Sequence, residues 1–372
     1  MSHLHICLVS DQPIPNLTTI LQFKPDKVVL LKTKDMEEKS ELLEEVIKKK
    51  NFDVSSEIIE AYDINNVMKI SDSLIKRYKN YKVSLNITGG TKIGTIGTFL
   101  SFYTSGNPIY YVDTKNNKIL QLFPENEQKE IPIEASISIS DYLTSYGFKI
   151  ESFVENDSYI HSRKELTNYL ANTIITNPEI IPKINSSMHK YNEESSLPIS
   201  LKLPNDEKFS NLINQLDGVK QKDKNKIEIN DYKSLKYLKG FWFEEYVYMV
   251  AKSLNPDEIK LNVKGKWHTK SKHQPKNEFD IMLSKKNKLF LISCKTSYPD
   301  RKVGDETVSK EYIYELVSLS DKALGLFGKR MLISARTIND NFVKERARIL
   351  KVDIIDGKSI VNLKENLRKW LQ

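Results

Sequence analysis

Residues 83–92 read VSLNITGGTK and join a predicted strand to a predicted helix. The first five residues are mostly aliphatic or β-branched, as in a buried strand, and the apolar spacing from residue 93 to about 103 is helical. Two adjacent glycines let the backbone approach a ligand, and free N–H groups at a helix start attract anions. Donors to such an anion are Thr88, Gly89, Gly90, Thr91 and Lys92. The stretch predicts either an anion-binding loop or a plain capped turn.

Strand and helix patterns alternate on both sides of this loop, through residues 1–148. Aliphatic runs predict buried parallel strands at 4–9, 28–31, 83–87 and 109–112. Apolar residues at helical spacing occupy 36–50 and 64–78. The alternation predicts an open, Rossmann-like α/β sheet with helices on both faces, which binds ligands beyond the carboxyl ends of its strands. The two unusual loops of this half, 10–16 and 88–92, lie at such ends.

The rest of the chain divides into a connector and a second α/β unit. Residues 149–232 are rich in Asn, Ser and Lys and are interpreted as either a helical connector or a winged-helix module. Their pattern predicts helices at 161–175 and 206–216 and a charged hairpin at 218–231. Residues 233–372 predict a mixed α/β core. Its expected elements are helices at 235–254, 311–326 and up to 350, and strands at 279–283, 289–295, 330–335 and 352–356.

Charge and composition restrict the possible partners. The formal net charge is +8, and residues 260–302 alone contain twelve Lys and Arg but three acids. Such a field attracts polyanions, although a solvated lysine-rich face gives the same count. Cys7 and Cys294 lie in different predicted strands, which indicates neither a disulfide framework nor a zinc site. No apolar run approaches the roughly 18 residues of a membrane span, and residues 1–11 lack the basic start of a signal peptide. We therefore expect a cytoplasmic protein with no membrane partner.

Acids and a lysine come together if residues 279–295 form a hairpin. Residues two apart share one face of a strand, so Glu278 lies beside Asp280, and Ser293 lies beside Lys295. Carboxylate and carbonyl oxygens are the ligands that Mg²⁺ prefers, and a metal aided by a lysine can cleave a phosphodiester. The pattern predicts a metal-dependent phosphodiesterase site at one end of this hairpin.

The preceding helix, GFWFEEYV at 240–247, supplies two further acids. At 100° per residue, Glu244 falls at the edge of the stripe that contains Phe243 and Val247, and Glu245 falls nearly opposite it. We expect Glu244 to reach the hairpin and Glu245 to be solvated.

The segment LNITGGTK at 85–92 resembles the signature of CARF domains, the cyclic-oligonucleotide sensors that accompany type III CRISPR systems. The loop SDQPIPN at 10–16 and the segment IYYVDT at 109–114 resemble the same family, so the match extends over most of residues 1–145. The resemblance implies a homodimer whose twofold axis crosses a pocket for a cyclic oligoadenylate, with cyclic tetra-adenylate as the leading candidate. It assigns ligand roles to Ser10, Gln12, Pro13, Thr88, Gly89, Gly90, Thr91 and Lys92. Tyr110 and Tyr111 either stack on bases or are buried.

The second half resembles the restriction-endonuclease-like, or PD-(D/E)xK, nucleases. A GxxxE helix, an acid at the start of a strand and a lysine at the end of the next occur in that family's order, and residues 316–353 resemble CARF-linked nucleases in particular. The resemblance implies cleavage of DNA, RNA or both, single- or double-stranded, in antiviral defence. It assigns metal binding, with Mn²⁺ or Mg²⁺, to Glu244, Asp280 and the Cys294 carbonyl. The catalytic set is Glu244, Glu278, Asp280, Ser293 and Lys295.

One position departs from the nuclease pattern. Ser293 occupies the place of the usual second acid, and a hydroxyl is a poor metal ligand. The alternative is a catalytically weak or dead, ligand-responsive regulator that binds nucleic acid. A transcription factor would need a helix-turn-helix, for which only residues 149–232 have room, and a ribonuclease with an RxxxxH helix is disfavoured because the C-terminal half lacks that spacing. His268 and His273 lack a metal-ligand spacing and are interpreted as loop residues that contact nucleic acid.

Overall fold

Two large β-sheets organise the chain in the computed structural model, which describes residues 1–192, 195–223, 225–269, 276–303 and 306–372. The first sheet has seven strands in the spatial order β3-β2-β1-β4-β5-β6-β7. In chain order they are β1 (His3–Leu8), β2 (Lys27–Lys32), β3 (Asp53–Ile58), β4 (Lys82–Asn86), β5 (Ile109–Asp113), β6 (Lys118–Phe123) and β7 (Lys129–Pro132). The strands from β3 to β5 are parallel, and β6 and β7 are antiparallel additions.

Helices cover both faces of this sheet because its strands are apolar on both sides. They are α1 (Ile14–Phe23), α2 (Glu37–Lys49), α3 (Ile64–Arg77), α4 (Lys92–Thr104) and α5 (Ile139–Ser145). On one face Val46 of α2 packs with Cys7, and on the other Phe102 of α4 packs with Leu8. The predicted α/β sheet is confirmed. Strands β3, β6 and β7 were not predicted because they are polar or only half-buried and carry no aliphatic run.

The connector contains helices and a small antiparallel sheet. Its elements are β8 (Phe148–Ser152), α6 (Ser158–Ser162), α7 (Lys164–Thr176), α8 (Ile180–Met188), β9 (Ile199–Lys202), α9 (Glu207–Leu212), β10 (Val219–Asp223) and β11 (Lys226–Ile229). The predicted charged hairpin is present as β10 and β11, with β9 added beside β11. Strand β8, at the start of the connector, pairs with β12 and is the edge strand of the second large sheet.

The second large sheet has the order β18-β17-β14-β13-β12-β8. The elements of this half are α10 (Tyr232–Lys236), α11 (Trp242–Lys252), β12 (Glu258–Trp267), β13 (Lys276–Lys285), β14 (Lys288–Lys295), β15 (Lys302–Val303), β16 (Glu306–Thr307), α12 (Val308–Ser320), β17 (Lys329–Ser334), α13 (Asn341–Ile349), β18 (Val352–Asp356) and α14 (Leu363–Trp370). The antiparallel β13–β14 hairpin is confirmed. Strand β12 and helix α14 were not predicted, because lysines interrupt the apolar pattern of both.

The helix predicted at 235–254 is interrupted near its first third. Residues Tyr237–Phe241 form a π turn between α10 and α11, and Gly240 has φ 143°, which side-chain-bearing residues rarely adopt. A Cβ atom at this position would lie 3.0 Å from Thr296 Oγ1. The bend therefore brings the start of α11 against the end of the hairpin, where the acids lie.

The turn of the β13–β14 hairpin is fastened to the first half of the chain. Asn287 in this turn accepts a hydrogen bond from the Ile137 amide (2.9 Å) and donates one to the Ala135 carbonyl (2.8 Å). Tyr142 and Leu324, one from each half, pack in one core. The two α/β units thus share a packed boundary at the closed end of the hairpin. No helix in the part of the chain that the structure describes is long and apolar enough to span a membrane.

Candidate functional sites

The loop after β4 is fixed by its own hydrogen bonds. Thr91 caps α4, accepting from the Gly94 amide at 3.0 Å, and it donates to the Ala61 carbonyl at 2.9 Å. A Cβ atom on Gly89 would lie 2.4 Å from the Leu8 carbonyl oxygen, so only glycine fits this close approach to β1. The loop is a capped turn whose two glycine positions leave the backbone open to a neighbour.

An asparagine network holds this loop against the one after β1. Asn86 accepts hydrogen bonds from the Thr88 hydroxyl (2.6 Å) and the Thr88 amide (3.1 Å), and it donates to Asn16 Oδ1 (2.9 Å). Asn16 in turn donates to the Leu8 carbonyl (2.8 Å). Because the network is buried, the two loops form one rigid rim at the carboxyl ends of β1 and β4.

A cavity of about 230 Å³ opens on this rim. Five of the predicted ligand residues line it: Ser10, Gln12, Thr88, Gly89 and Gly90. The other three, Pro13, Thr91 and Lys92, are not among its lining residues. Tyr111 lines the cavity, whereas Tyr110 is buried against Phe23.

The opposite wall of the cavity comes from residues that sequence reasoning missed. Tyr142 and Tyr146 belong to α5 and the residue after it, and the others lie in the second half of the chain: Asn287, Lys288, Leu326 and Phe327. Gln12 joins the two walls, because its Oε1 accepts from the Tyr146 hydroxyl (3.0 Å) and from the Leu326 amide (2.9 Å). No local motif could have identified these residues, which lie between 130 and 315 positions from Gln12 along the chain.

A second site lies at the open end of the β13–β14 hairpin. Asp280 precedes Ile281, which pairs with Ile292 of β14, and its Oδ2 accepts from the Cys294 amide (2.7 Å) and the Ser293 hydroxyl (3.2 Å). Burial raises the pKa of Asp280, although the Cys294 N–H and the Lys295 ammonium oppose this shift.

Glu244 approaches Asp280 from the start of α11. Its Oε2 atom is buried and has no hydrogen-bond partner among the described residues. Burial, and next the Asp280 carboxylate, raise the pKa of Glu244 to about 9. The Asp280 carboxylate thus lies close enough to Glu244 for its charge to disfavour ionisation of the Glu244 carboxyl.

Glu278 and Lys295 lie at the margins of this pair. Glu278 is 3.2 Å from Lys264 Nζ and accepts from Asn262; burial would raise its pKa, but these partners lower it on balance. Lys295 Nζ is 3.0 Å from Glu315 Oε2 on α12. Burial would lower the pKa of Lys295, but the Asp280 and Glu315 carboxylates outweigh it and raise the pKa. Glu315 was not predicted, because a single exposed glutamate on a helix carries no motif.

The expectation that Glu245 is solvated is wrong. Its side chain is fully buried and paired with Arg163 of the connector, with Arg163 Nε 3.1 Å from Oε2. The helical projection assumed one buried stripe, but α11 packs on the hairpin with one side and on α7 with another, so it has no solvent face at this position. Glu244 is the acid that faces the hairpin.

The donor set is small for a metal site. Where the structure describes the chain, no three His, Cys, Asp or Glu side chains group to hold an ion. The orphaned Glu244 oxygen and the adjoining Asp280 carboxylate nevertheless fit a hard divalent cation, which needs few protein oxygens and completes its shell with waters. A Cys294 carbonyl beside them would be a third oxygen, since Cys294 and Glu244 line the same cavity.

A groove of about 840 Å³ leads to these residues. Cations and aromatic rings line it together with Glu244 and Lys295: His189, Lys236, Lys239, Phe241, Tyr298, Arg301 and Arg336. Arg336 lies over the Tyr298 ring at 5.2 Å from its centroid, and Tyr298 is half exposed. A basic channel with accessible rings is typical of surfaces that bind nucleic acid. His268 lies elsewhere, donating through its amide to the Gly147 carbonyl, and His273 is outside the described residues.

Family comparisons match both halves of the chain. Residues 4–142 match the Card1 CARF domain, and residues 231–372 match the Card1-like endonuclease domain. No curated protein sequence matches the chain.

Solved structures share the whole fold. Protein VC1899 from Vibrio cholerae is 19% identical with a TM-score of 0.86, and the match covers 99% of this chain and 98% of that one. Can2 from Sulfobacillus thermosulfidooxidans, solved with cyclic tetra-adenylate, is 22% identical with a TM-score of 0.79, covering 100% and 99%. A type III CRISPR defence DNA nuclease activated by cyclic oligoadenylate is 17% identical with a TM-score of 0.55, covering 90% of this chain but 46% of that protein. At these identities the likeness shows the arrangement of both α/β units.

Proposed function

Because the chain belongs to the CARF-domain endonucleases of the Card1 type, we propose that it is a metal-dependent nuclease of type III CRISPR defence that a cyclic oligoadenylate activates. The observation that carries this function is the convergence of Glu244, Asp280 and Lys295 at the end of a basic groove. A role in that defence places the protein in the cytoplasm.

The acids and the lysine divide the chemistry between them. Glu244 and Asp280, with the Cys294 carbonyl, would hold Mg²⁺ or Mn²⁺, which when bound would lower the pKa of a water and offset charge on the phosphate. Lys295 stabilises negative charge in the transition state, and Glu315 fixes its position. The Ser293 hydroxyl and Cys294 amide orient Asp280, and Glu278 fixes Lys264 beside the site.

The activator binds on the rim formed by the loops after β1 and β4. A cavity of about 230 Å³ is smaller than the roughly 300–1,000 Å³ of typical small-ligand pockets, so one chain can enclose only part of a cyclic tetranucleotide. Two copies related by a twofold axis would each hold half of the ring, and this supports cyclic tetra-adenylate as the activator and a homodimer as the working form. Ligand would then close the two sensor domains and, through the connectors, open the groove to nucleic acid.

Exposed apolar residues support the dimer. On the outer side of α4, Ile96, Leu100 and Tyr103 recur at helical spacing and are 49%, 37% and 43% exposed. Ile58 and Tyr62 lie at the carboxyl end of β3 near this helix and are 47% and 86% exposed. A second copy of the chain would cover this patch.

One observation favours the alternative function. Ser293 supplies no carboxylate two residues before Lys295, so the chain could instead be a ligand-responsive regulator that binds nucleic acid and cleaves it weakly or not at all. The two functions share the sensor and the groove, and they differ only in turnover.

Cleavage assays separate them. Supercoiled plasmid, single-stranded DNA and RNA are incubated with the full chain and Mn²⁺ or Mg²⁺, with and without cyclic tetra-adenylate. The nuclease function predicts cleavage that requires metal and ligand, is lost in Lys295→Ala, and persists in Lys364→Ala, which removes an exposed lysine of α14. Equal cleavage without the ligand would contradict activation. Ligand binding without any cleavage would establish the regulator.

A further inference from the structure

The cavity on the sensor rim has one cation in its described lining, and that cation belongs to the nuclease half. Lys288, the first residue of β14, lines the cavity together with Gly89 and Gly90. Lys92, the cation predicted from the loop motif, is exposed and does not line it. A cyclic oligonucleotide carries one negative charge for each phosphate, so a lining residue with an ammonium group is the natural partner.

Lys288 is held in place but its charge is not paired. Its Nζ donates to the Lys115 carbonyl in the β5–β6 turn at 2.9 Å, and no carboxylate of the described residues lies within ion-pair distance of it. The ammonium is half-buried, and Lys115, Lys286 and Lys329 lie close enough to act on it. Burial and these cations lower the pKa of Lys288, with Asp113 opposing them. An anion in the cavity would relieve this concentration of positive charge.

We propose that Lys288 binds a phosphate of the cyclic oligoadenylate, so that the nuclease hairpin forms part of the sensor's ligand site. This inference rests on the proposed function. The neighbouring Asn287 fixes the turn through its bonds to Ile137 and Ala135, which presents Lys288 to the cavity in one orientation. Both turn residues, Lys286 and Asn287, have positive φ (52° and 56°), as tight two-residue hairpin turns require.

The position of Lys288 gives ligand binding a direct mechanical connection to catalysis. Strand β14 extends from Lys288 to Lys295, which at about 3.3 Å per residue places the ligand contact roughly 23 Å from the catalytic lysine on one continuous strand. The strand is paired on both sides, with β13 and with β17. A displacement of Lys288, the first residue of β14, therefore moves the hairpin as a rigid unit.

Two charge-neutralising substitutions in the same turn test the proposal. Lys288→Gln and Lys286→Gln each remove one positive charge, but only Lys288 lines the cavity. Binding of cyclic tetra-adenylate to the full chain is measured by calorimetry. We expect Kd to rise roughly tenfold or more for Lys288→Gln, as for loss of a charge-assisted hydrogen bond, and less than about twofold for Lys286→Gln. Lys288→Arg should recover most of the affinity, which also shows that the position tolerates substitution.

The outcomes distinguish a failure of this inference from a failure of the proposed function on which it rests. If the wild-type chain binds and Lys288→Gln binds as tightly as Lys286→Gln, the inference is wrong and the sensor assignment stands. If the wild-type chain binds no cyclic tetra-adenylate, the sensor assignment fails and the inference fails with it. A matching thermal midpoint for both variants shows that a loss of affinity comes from the contact and not from unfolding.

Discussion

Two adjacent glutamates on α11 should give opposite results when each is replaced by glutamine. Glu245 is fully buried and accepts two hydrogen bonds from the Arg163 guanidinium. Arg163 also lies over the rings of Tyr159 and Tyr237, at 4.7 and 4.4 Å from their centroids. Glu244 has one buried carboxylate oxygen without a partner in the described chain and faces the hairpin. One glutamate thus joins helices, and the other is available to a cation.

The expected magnitudes follow from these contacts. Breaking a buried ion pair by removing one partner costs about 3–5 kcal/mol, and Glu245→Gln falls at the lower end because the amide still accepts one bond from Arg163. For a unit of 150–250 residues each kcal/mol lowers the midpoint by about 2–4 °C, so Tm should fall by roughly 6–12 °C. With a pKa of about 9, Glu244 is mostly protonated at neutral pH when no metal is bound, so Glu244→Gln exchanges one neutral buried side chain for another and Tm stays the same. Its cleavage rate should fall at least about 100-fold, because a ligand to the metal is lost.

Thermal unfolding of the full chain and single-turnover cleavage with saturating Mn²⁺ and cyclic tetra-adenylate measure both quantities. Glu245→Gln should cleave at the wild-type rate at 25 °C, where enough of it is folded, and Glu244→Gln should melt as the wild type does. The reasoning is refuted if Glu245→Gln abolishes cleavage with an unchanged Tm, or if Glu244→Gln melts early and still cleaves. Either result would mean that α11 is rotated relative to the hairpin in the working enzyme.

Three further outcomes are expected. Ser293→Glu should tighten Mn²⁺ binding in calorimetry and raise the cleavage rate, while Ser253→Glu on the exposed end of α11 changes neither; a slower Ser293→Glu variant would contradict a metal at this position. Ile96→Asp should convert a dimer to a monomer in light scattering, while Ile349→Asp, at another exposed site, leaves it dimeric. Burial lowers the pKa of His5 from 6.5 to about 3, so the folded protein resists protonating this side chain. The free energy of unfolding therefore keeps its full value above pH 6.5 and decreases by up to about 1.4 kcal/mol per pH unit below it. His5→Gln should remove this contribution to the slope of Tm against pH.

The sequence predicted those features that depend on residues near one another in the chain. The strand–glycine–helix segment at 83–92 gave the position of β4, the start of α4 and the capped turn between them. The hairpin at 279–295 brought Asp280 and Lys295 to one end of the two strands, because antiparallel register follows from the turn position. The residue pattern of each of these elements is local, so its secondary structure could be predicted without knowledge of the tertiary packing.

Features that depend on packing between distant segments were not predicted. The burial of Glu245 comes from an arginine 82 positions earlier, and no helical projection contains that partner. Strand β12 carries lysines along its exposed side. Its ten residues were therefore counted as part of a basic stretch and were not recognised as a strand. Lys288 was counted only as one of twelve cations, because its role depends on a turn that fits into the other half of the molecule.

The two candidate sites occupy opposite ends of one hairpin, and this limits how activation can work. Strands β13 and β14 are each hydrogen-bonded on both sides, and such central strands move as a body because local stretching would break ladder hydrogen bonds. Asp280 is oriented by Ser293 and Cys294, its neighbours within the same hairpin. A ligand that draws Lys288 towards the rim would therefore tilt the nuclease sheet against the sensor and leave the acids in register. Activation would then act on the entry of nucleic acid to the groove between the connector and the hairpin, and the affinity of the site for its metal would be the same with and without the ligand.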